Sequence, residues 1–137
     1  MKEPSPKRQR TLALQDRAIR FSVEVNACCP ETFSNEPSRT VWRQLVRAAD
    51  SASNNLVEAD DAVSDADFLN KMCIALREAK ESRTALMKVR LGTLDNCAEA
   101  TKRELESEAG QLTAIFSTII RNMRWRLENQ KAKKKGG

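Results

Sequence analysis

Three acids and a set of arginines and lysines are the residues whose spacing invites chemistry. Glu78 and Glu81 fall one helical turn apart, and Glu58 lies some twenty residues before them. Carboxylates grouped in this way can hold a metal or exchange a proton. A di-iron carboxylate bundle, however, needs Glu-x-x-His on two of its helices, and the chain contains no histidine. That leaves a carboxylate Mg²⁺ site as the one metal chemistry to weigh, and nothing else in the sequence supports it. Ser51, Ser53 and Ser82 have no imidazole to act as a base, and no glycine-rich phosphate loop is present. Cys28, Cys29, Cys73 and Cys97 show no C-x-x-C spacing, so free thiols packed as small hydrophobes are expected. The reading is a protein that is not an enzyme and carries no metal or cofactor. Glu78 and Glu81 then pair with nearby cations, and Asn55, Glu58, Glu78 and Glu81 are expected to form a structural polar network that holds helix register.

The cations are the sharper lead. Arg39, Arg43 and Arg47 recur every four residues and form one stripe on a helix. Between residues 77 and 90, Arg77, Lys80, Arg83, Lys88 and Arg90 face two acids, a net of +3. Between residues 121 and 135 seven cations face one acid, a net of +6. The acids gather elsewhere, with five of them and no base in residues 58–67. With a net charge of +5 overall and a pI near 9.2, a polyanion is the natural partner. Arg39, Arg43, Arg47, Lys80, Arg83, Lys88 and Arg90 are the candidate contacts to nucleic acid. Trp42 and Trp125 suit either stacking on bases or packing at an interface between chains.

These side chains must be carried by helices. Pro4 and Pro6 precede the first helix, Pro30 and Pro37 bound the loop that follows it, and no proline occurs after Pro37, so about a hundred residues lack the strongest helix breaker. Aromatics make up only 4% of the chain, with no tyrosine, which disfavours a β-sandwich or barrel. Four amphipathic patterns follow. The first, from Thr11 to Cys28, buries Leu14, Ala18, Phe21 and Val25, and its second apolar edge (Leu12, Ile19, Val23) suggests contact with another chain. The second, capped by Ser38 or Thr40, runs to about Ala62, with a seam of Leu45, Ala49, Ala52, Leu56, Ala59 and Val63. The third, capped by Ser64, follows Phe68, Met72, Ala75, Ala79, Ser82, Leu86 and Val89 and stops at Gly92. The fourth starts near Asn96 and follows Leu105, Ala109, Leu112, Phe116, Ile119, Met123 and Leu127. Gly110 in its middle suggests close approach of another helix. The expected domain spans residues 11–128, between a mobile basic tail (1–10) and a disordered lysine-rich tail (129–137). Short connections favour an all-α, antiparallel up-down bundle, left-handed because the seams repeat near 3.5 residues. No run of residues is apolar enough for a membrane span or a secretory signal, so a cytoplasmic protein is expected.

Within residues 47–86, Arg47-Ala48-Ala49, Ser51, Asn55 and Glu58 resemble the R-A-A-x-S…N…E signature of a bacterial four-helix bundle family. This is the 23S rRNA intervening-sequence protein family, which includes the accessory variability proteins of diversity-generating retroelements. Ser64, Asp67-Phe68-Leu69, Ile74-Ala75-Leu76, Glu78-Ala79 and Glu81-Ser82 are similar to the segment that follows it. The resemblance implies a homopentameric ring of four-helix bundles with no established enzymatic chemistry. Its accessory branch implies a basic surface offered to RNA and to a reverse transcriptase. It also implies a bend near Ser53, where relatives often carry proline; a milder bend is expected here. The expected function is a non-enzymatic oligomer that binds nucleic acid, RNA in particular. The alternative is a structural or protein-interaction module whose charges only solvate its surface.

Overall fold

The computed structural model describes residues 2–92 and 97–136. Within them every regular element is helical: α1 (Pro6–Cys28), α2 (Glu36–Asp60), α3 (Asp65–Gly92) and α4 (Glu99–Gly136). The expected all-α, four-helix architecture is what the chain adopts. α2 packs most extensively on α3, α3 on α4 and α1 on α2, whereas α1 meets α4 more sparingly. No described helix is long and apolar enough to cross a membrane.

The α2–α3 seam is built from small residues. Ala49, Ala52 and Ala59 of α2 and Ala75 and Ala79 of α3 are all buried, which lets the two helix surfaces interlock closely. Larger side chains fill the space beside that seam: Phe21, Trp42, Leu45, Leu56, Met72, Leu86, Leu105, Leu112 and Phe116 belong to one continuous core. The seams of α2 and α3 follow the expected registers. In α4 the buried residue is Ile120, and Ile119 is only partly covered. Val63, expected to extend the α2 seam, lies past the end of the helix and is exposed. The second edge of α1 (Leu12, Ile19, Val23) is open to solvent.

The helix ends differ most from expectation, and caps explain why. α1 begins at Pro6, five residues early, because Ser5 accepts from the Arg8 amide and Pro6 occupies the first turn, where its missing N–H costs nothing. α2 is capped by Asn35, whose side chain accepts from the Ser38 amide, so Pro37 sits in the first turn of the helix instead of closing the loop before it. Ser64 caps α3 as expected, accepting from the Asp67 amide at 3.0 Å. The expected start of the fourth helix near Asn96 lies outside the described residues. At its other end α4 continues to Gly136, where a disordered tail was expected from residue 129. Asn129 to Lys135 contains no glycine or proline, and Gln, Lys and Ala are good helix formers.

Residues 51–55 stay helical without a break. Ser53 Oγ donates to the Asp50 carbonyl at 2.9 Å and Asn55 Nδ2 to the Ser51 carbonyl at 2.9 Å. These polar side chains satisfy backbone groups of their own helix.

Gly110 does not mark a close helix crossing. A Cβ there would meet nothing nearer than Arg83 Nε at 3.7 Å, an ordinary contact with a flexible side chain. Gly110→Ala is therefore expected to stabilise the fold by up to about 1 kcal/mol through helix propensity. A thermal melt showing a lower Tm would contradict this assignment.

Candidate nucleic-acid interface

The groove between α2 and α3 collects cations from both helices. Gln44 and Arg47 of α2 face Arg77, Lys80, Glu81, Thr84, Ala85 and Lys88 of α3 across a hollow of about 520 Å³. On α3 the lining residues recur at steps of three and four, so one face of the helix supplies them all. Arg47 is the pivot. One guanidinium nitrogen lies 3.1 Å from Glu78 Oε2 and the other 2.8 Å from Glu81 Oε2, so it bridges two carboxylates one turn apart. The negative charge of Glu78, with the hydrogen bonds that Arg47 donates to both acids, raises the Arg47 pKa further. Glu78 is only 5% exposed, and Arg77 Nε approaches it at 3.9 Å. Below it, Ser82 Oγ donates to the Glu78 carbonyl at 2.8 Å. Four cations against Glu78 and Glu81 leave the groove with a net positive charge.

The expected basic set thus divides between two surfaces. Arg47, Lys80 and Lys88 line the α2–α3 groove. Arg83 and Arg90 turn to the other side of α3, beside Arg103, Glu106 and Gly110 of α4, where Arg90 Nε is 2.7 Å from Glu106 Oε2. Arg39 leaves the stripe by another route: its guanidinium lies 5.8 Å from the Phe33 ring centre and 3.5 Å from Glu36. Arg43 is exposed. Arg43, Lys80, Arg83 and Lys88 form no ion pair among the described residues. Arg77, Gln44 and Thr84 complete the groove and were not among the candidates. Helical spacing from Lys80 places Arg77 and Thr84 on this face, but Gln44 required the α2–α3 packing.

The expected polar network forms only in part. Glu78 and Glu81 share Arg47, but Glu58 pairs with Lys71 at 3.1 Å and Asn55 bonds within its own helix. Asn55 and Arg47 are eight residues apart on α2, about 12 Å along the axis, so Glu81 belongs to the Arg47 level and not to that of Asn55. Trp42, considered for base stacking, is 1% exposed and belongs to the core. Trp125 is 65% exposed.

Another interhelix pair ties α1 to α2. The Arg8 guanidinium donates to Asp60, and this hydrogen bond holds the Asp60 carboxyl below its ordinary pKa. A carboxyl with a depressed folded-state pKa contributes stability above its unfolded pKa and loses that contribution as pH falls through the folded value. Asp60→Asn is therefore expected to be less stable than the parent at neutral pH, with the two Tm curves converging below about pH 4. A difference that stays constant across the acid range would refute the pairing.

The 23S rRNA-intervening sequence protein family matches residues 10–118. The chain belongs to that family. No curated protein matches the chain. Among solved structures, this intervening-sequence family member is similar to a protein of unknown function from the S23 ribosomal protein family of Bacteroides thetaiotaomicron, with a TM-score of 0.64 and 24% sequence identity. The match covers 78% of this chain and 97% of that one. Within the family frame the α2–α3 groove lies wholly inside the matched residues, and the part of α4 after Thr118 lies outside them.

Proposed function

We propose that this family member is a non-enzymatic helical bundle that binds nucleic acid through the α2–α3 groove. The observation that carries the reading is the convergence of Arg47, Arg77, Lys80 and Lys88 on one hollow, with Lys80 and Lys88 free of intramolecular ion pairs among the described residues. Side chains placed this way meet phosphates and carry little base information, so the binding is non-specific and strongly salt-dependent. The partner suggested by resemblance is RNA, handled in the cytoplasm alongside a reverse transcriptase.

The same reading includes an antiparallel, left-handed bundle assembled as a homopentameric ring. In support of the antiparallel course, Glu58 meets Lys71 near the α2–α3 turn while Arg47 meets Glu78 and Glu81 farther from it. In support of assembly, Leu12, Ile19 and Val23 leave an apolar stripe on α1 uncovered. A ring would repeat the groove and multiply weak phosphate contacts by avidity.

Two measurements test the proposal. Anisotropy titration with a structured RNA at two salt concentrations is expected to show binding that weakens steeply with salt. Lys80→Ala with Lys88→Ala should lower affinity for every sequence alike and flatten the salt slope by about two, one for each lost phosphate contact, without changing Tm. No binding at low salt would favour the protein-interaction module instead. Light scattering that returns a monomer mass near 15.4 kDa at micromolar concentration would overturn the ring.

A further inference from the structure

The last turns of α4 leave the bundle. Met123 still lines a hollow with Ala59, Val63 and Phe68, and Arg124 still reaches Cys73 Sγ at 3.6 Å. Past Leu127 every described residue is exposed. This stretch also lies beyond the residues that the family matches, so whatever it does is not explained by the shared bundle.

Its surface is ordered by the helix. Arg121, Trp125, Asn129 and Lys133 recur at four-residue intervals and share one face. Arg121 and Lys133 are separated by about 18 Å along the axis, with the exposed Trp125 ring between them. Trp125, Arg126, Asn129, Gln130, Ala132 and Lys133 border one open hollow. Arg121, Lys131, Lys133, Lys134 and Lys135 make no ion pair among the described residues. A large indole exposed to water among unpaired cations is poorly suited to an apolar protein partner, because docking there would desolvate the charges. The arrangement matches a different ligand, one with flat apolar faces linked by anionic groups.

We infer that the end of α4 is an arm for single-stranded nucleic acid, in which Trp125 stacks on an unpaired base while Arg121, Arg126 and Lys133 meet flanking phosphates. Aromatic stacking with basic side chains on either side is the common mode for single strands and is tolerant of sequence. A duplex keeps its bases stacked on each other and offers the indole no free face. The inference rests on the nucleic-acid reading above, but it concerns different residues and a different form of the ligand.

The two tryptophans make a direct test. Trp42 is buried and Trp125 exposed, so a ligand-dependent change in emission reports on Trp125. The full chain is titrated at low salt with an unstructured oligo(dT) and with a duplex of equal length, following fluorescence and anisotropy together. Stacking is expected to quench emission with the single strand and much less with the duplex. Trp125→Ala should weaken single-strand binding about ten-fold or more while leaving duplex binding nearly unchanged, and Trp125→Phe should restore most of the loss. Anisotropy saturating without quenching, or Trp125→Ala binding oligo(dT) like the parent, overturns the arm. A change in oligomer mass in Trp125→Ala with binding intact would assign the indole to contact between copies instead. If duplex binding that depends on Lys80 and Lys88 persists while quenching is absent, the arm alone fails. If neither ligand binds, the groove fails with it.

Discussion

Phe116→Ala is expected to destabilise the fold by about 3–5 kcal/mol, the range for emptying a fully buried aromatic site. Phe116 is completely buried, in a continuous core that also holds Trp42, Met72, Leu105 and Leu112. Much of the α2–α3 contact is made by alanines, which cannot swing into a vacated space. Helices held together by such a seam are also constrained from moving inward, so the cavity should persist instead of collapsing. Chemical denaturation at fixed protein concentration measures the loss. A cost below about 1.5 kcal/mol would mean that Leu112, Ile120 and their neighbours repack, and that the alanine seam is less confining than described.

Removing the guanidinium of Arg47 is the second large effect. Arg47→Ala strips Glu78 of its 3.1 Å partner and leaves only Arg77 at 3.9 Å. A buried group left without its hydrogen bond costs about 1–3 kcal/mol, and the carboxylate here is nearly sealed from water. Glu78→Gln in the same chain removes the unpaired charge and should recover part of that loss. A double-mutant cycle is therefore expected to show coupling between positions 47 and 78, as contacting residues do. Additive effects would mean that Arg47 serves the surface alone. The same experiment bears on function, because Arg47 both anchors the groove and lines it. Any loss of nucleic-acid affinity in Arg47→Ala mixes the two roles. Lys80 and Lys88, which carry no such structural duty, separate them.

The two predictions show where sequence reading succeeded and where it stopped. Heptad-like spacing placed Ala49, Ala52, Ala75, Ala79 and Phe116 on inward faces, because a helix turns by a constant angle and its apolar residues must lie along one stripe. The Arg-Ala-Ala motif and the segment after it pointed to the intervening-sequence family, whose match spans residues 10–118. Helix ends were less legible. Pro6 and Pro37 looked like loop signals, and only the cap geometry of Ser5 and Asn35 showed them to be first-turn residues. The four-residue recurrence of Arg39, Arg43 and Arg47 was real, but recurrence on one helix does not say what lies opposite. Arg39 turned to Phe33 and Glu36, while Arg47 met the acids of α3.

Local chemistry along the chain therefore determined that this protein is helical, where its helices bury themselves and that its charge is concentrated in basic clusters. Those properties depend on neighbours within a turn or two, which a sequence displays directly. Tertiary structure alone decided that Trp42 is core and Trp125 is exposed, and that Arg83 and Arg90 face α4 while Lys80 and Lys88 face α2. It also set Glu58 on Lys71 and Glu81 on Arg47. Each of these outcomes depends on the rotation and axial offset of one helix against another. Those are fixed by the sum of contacts along a whole interface, here the small-residue seam between α2 and α3, and not by any single spacing.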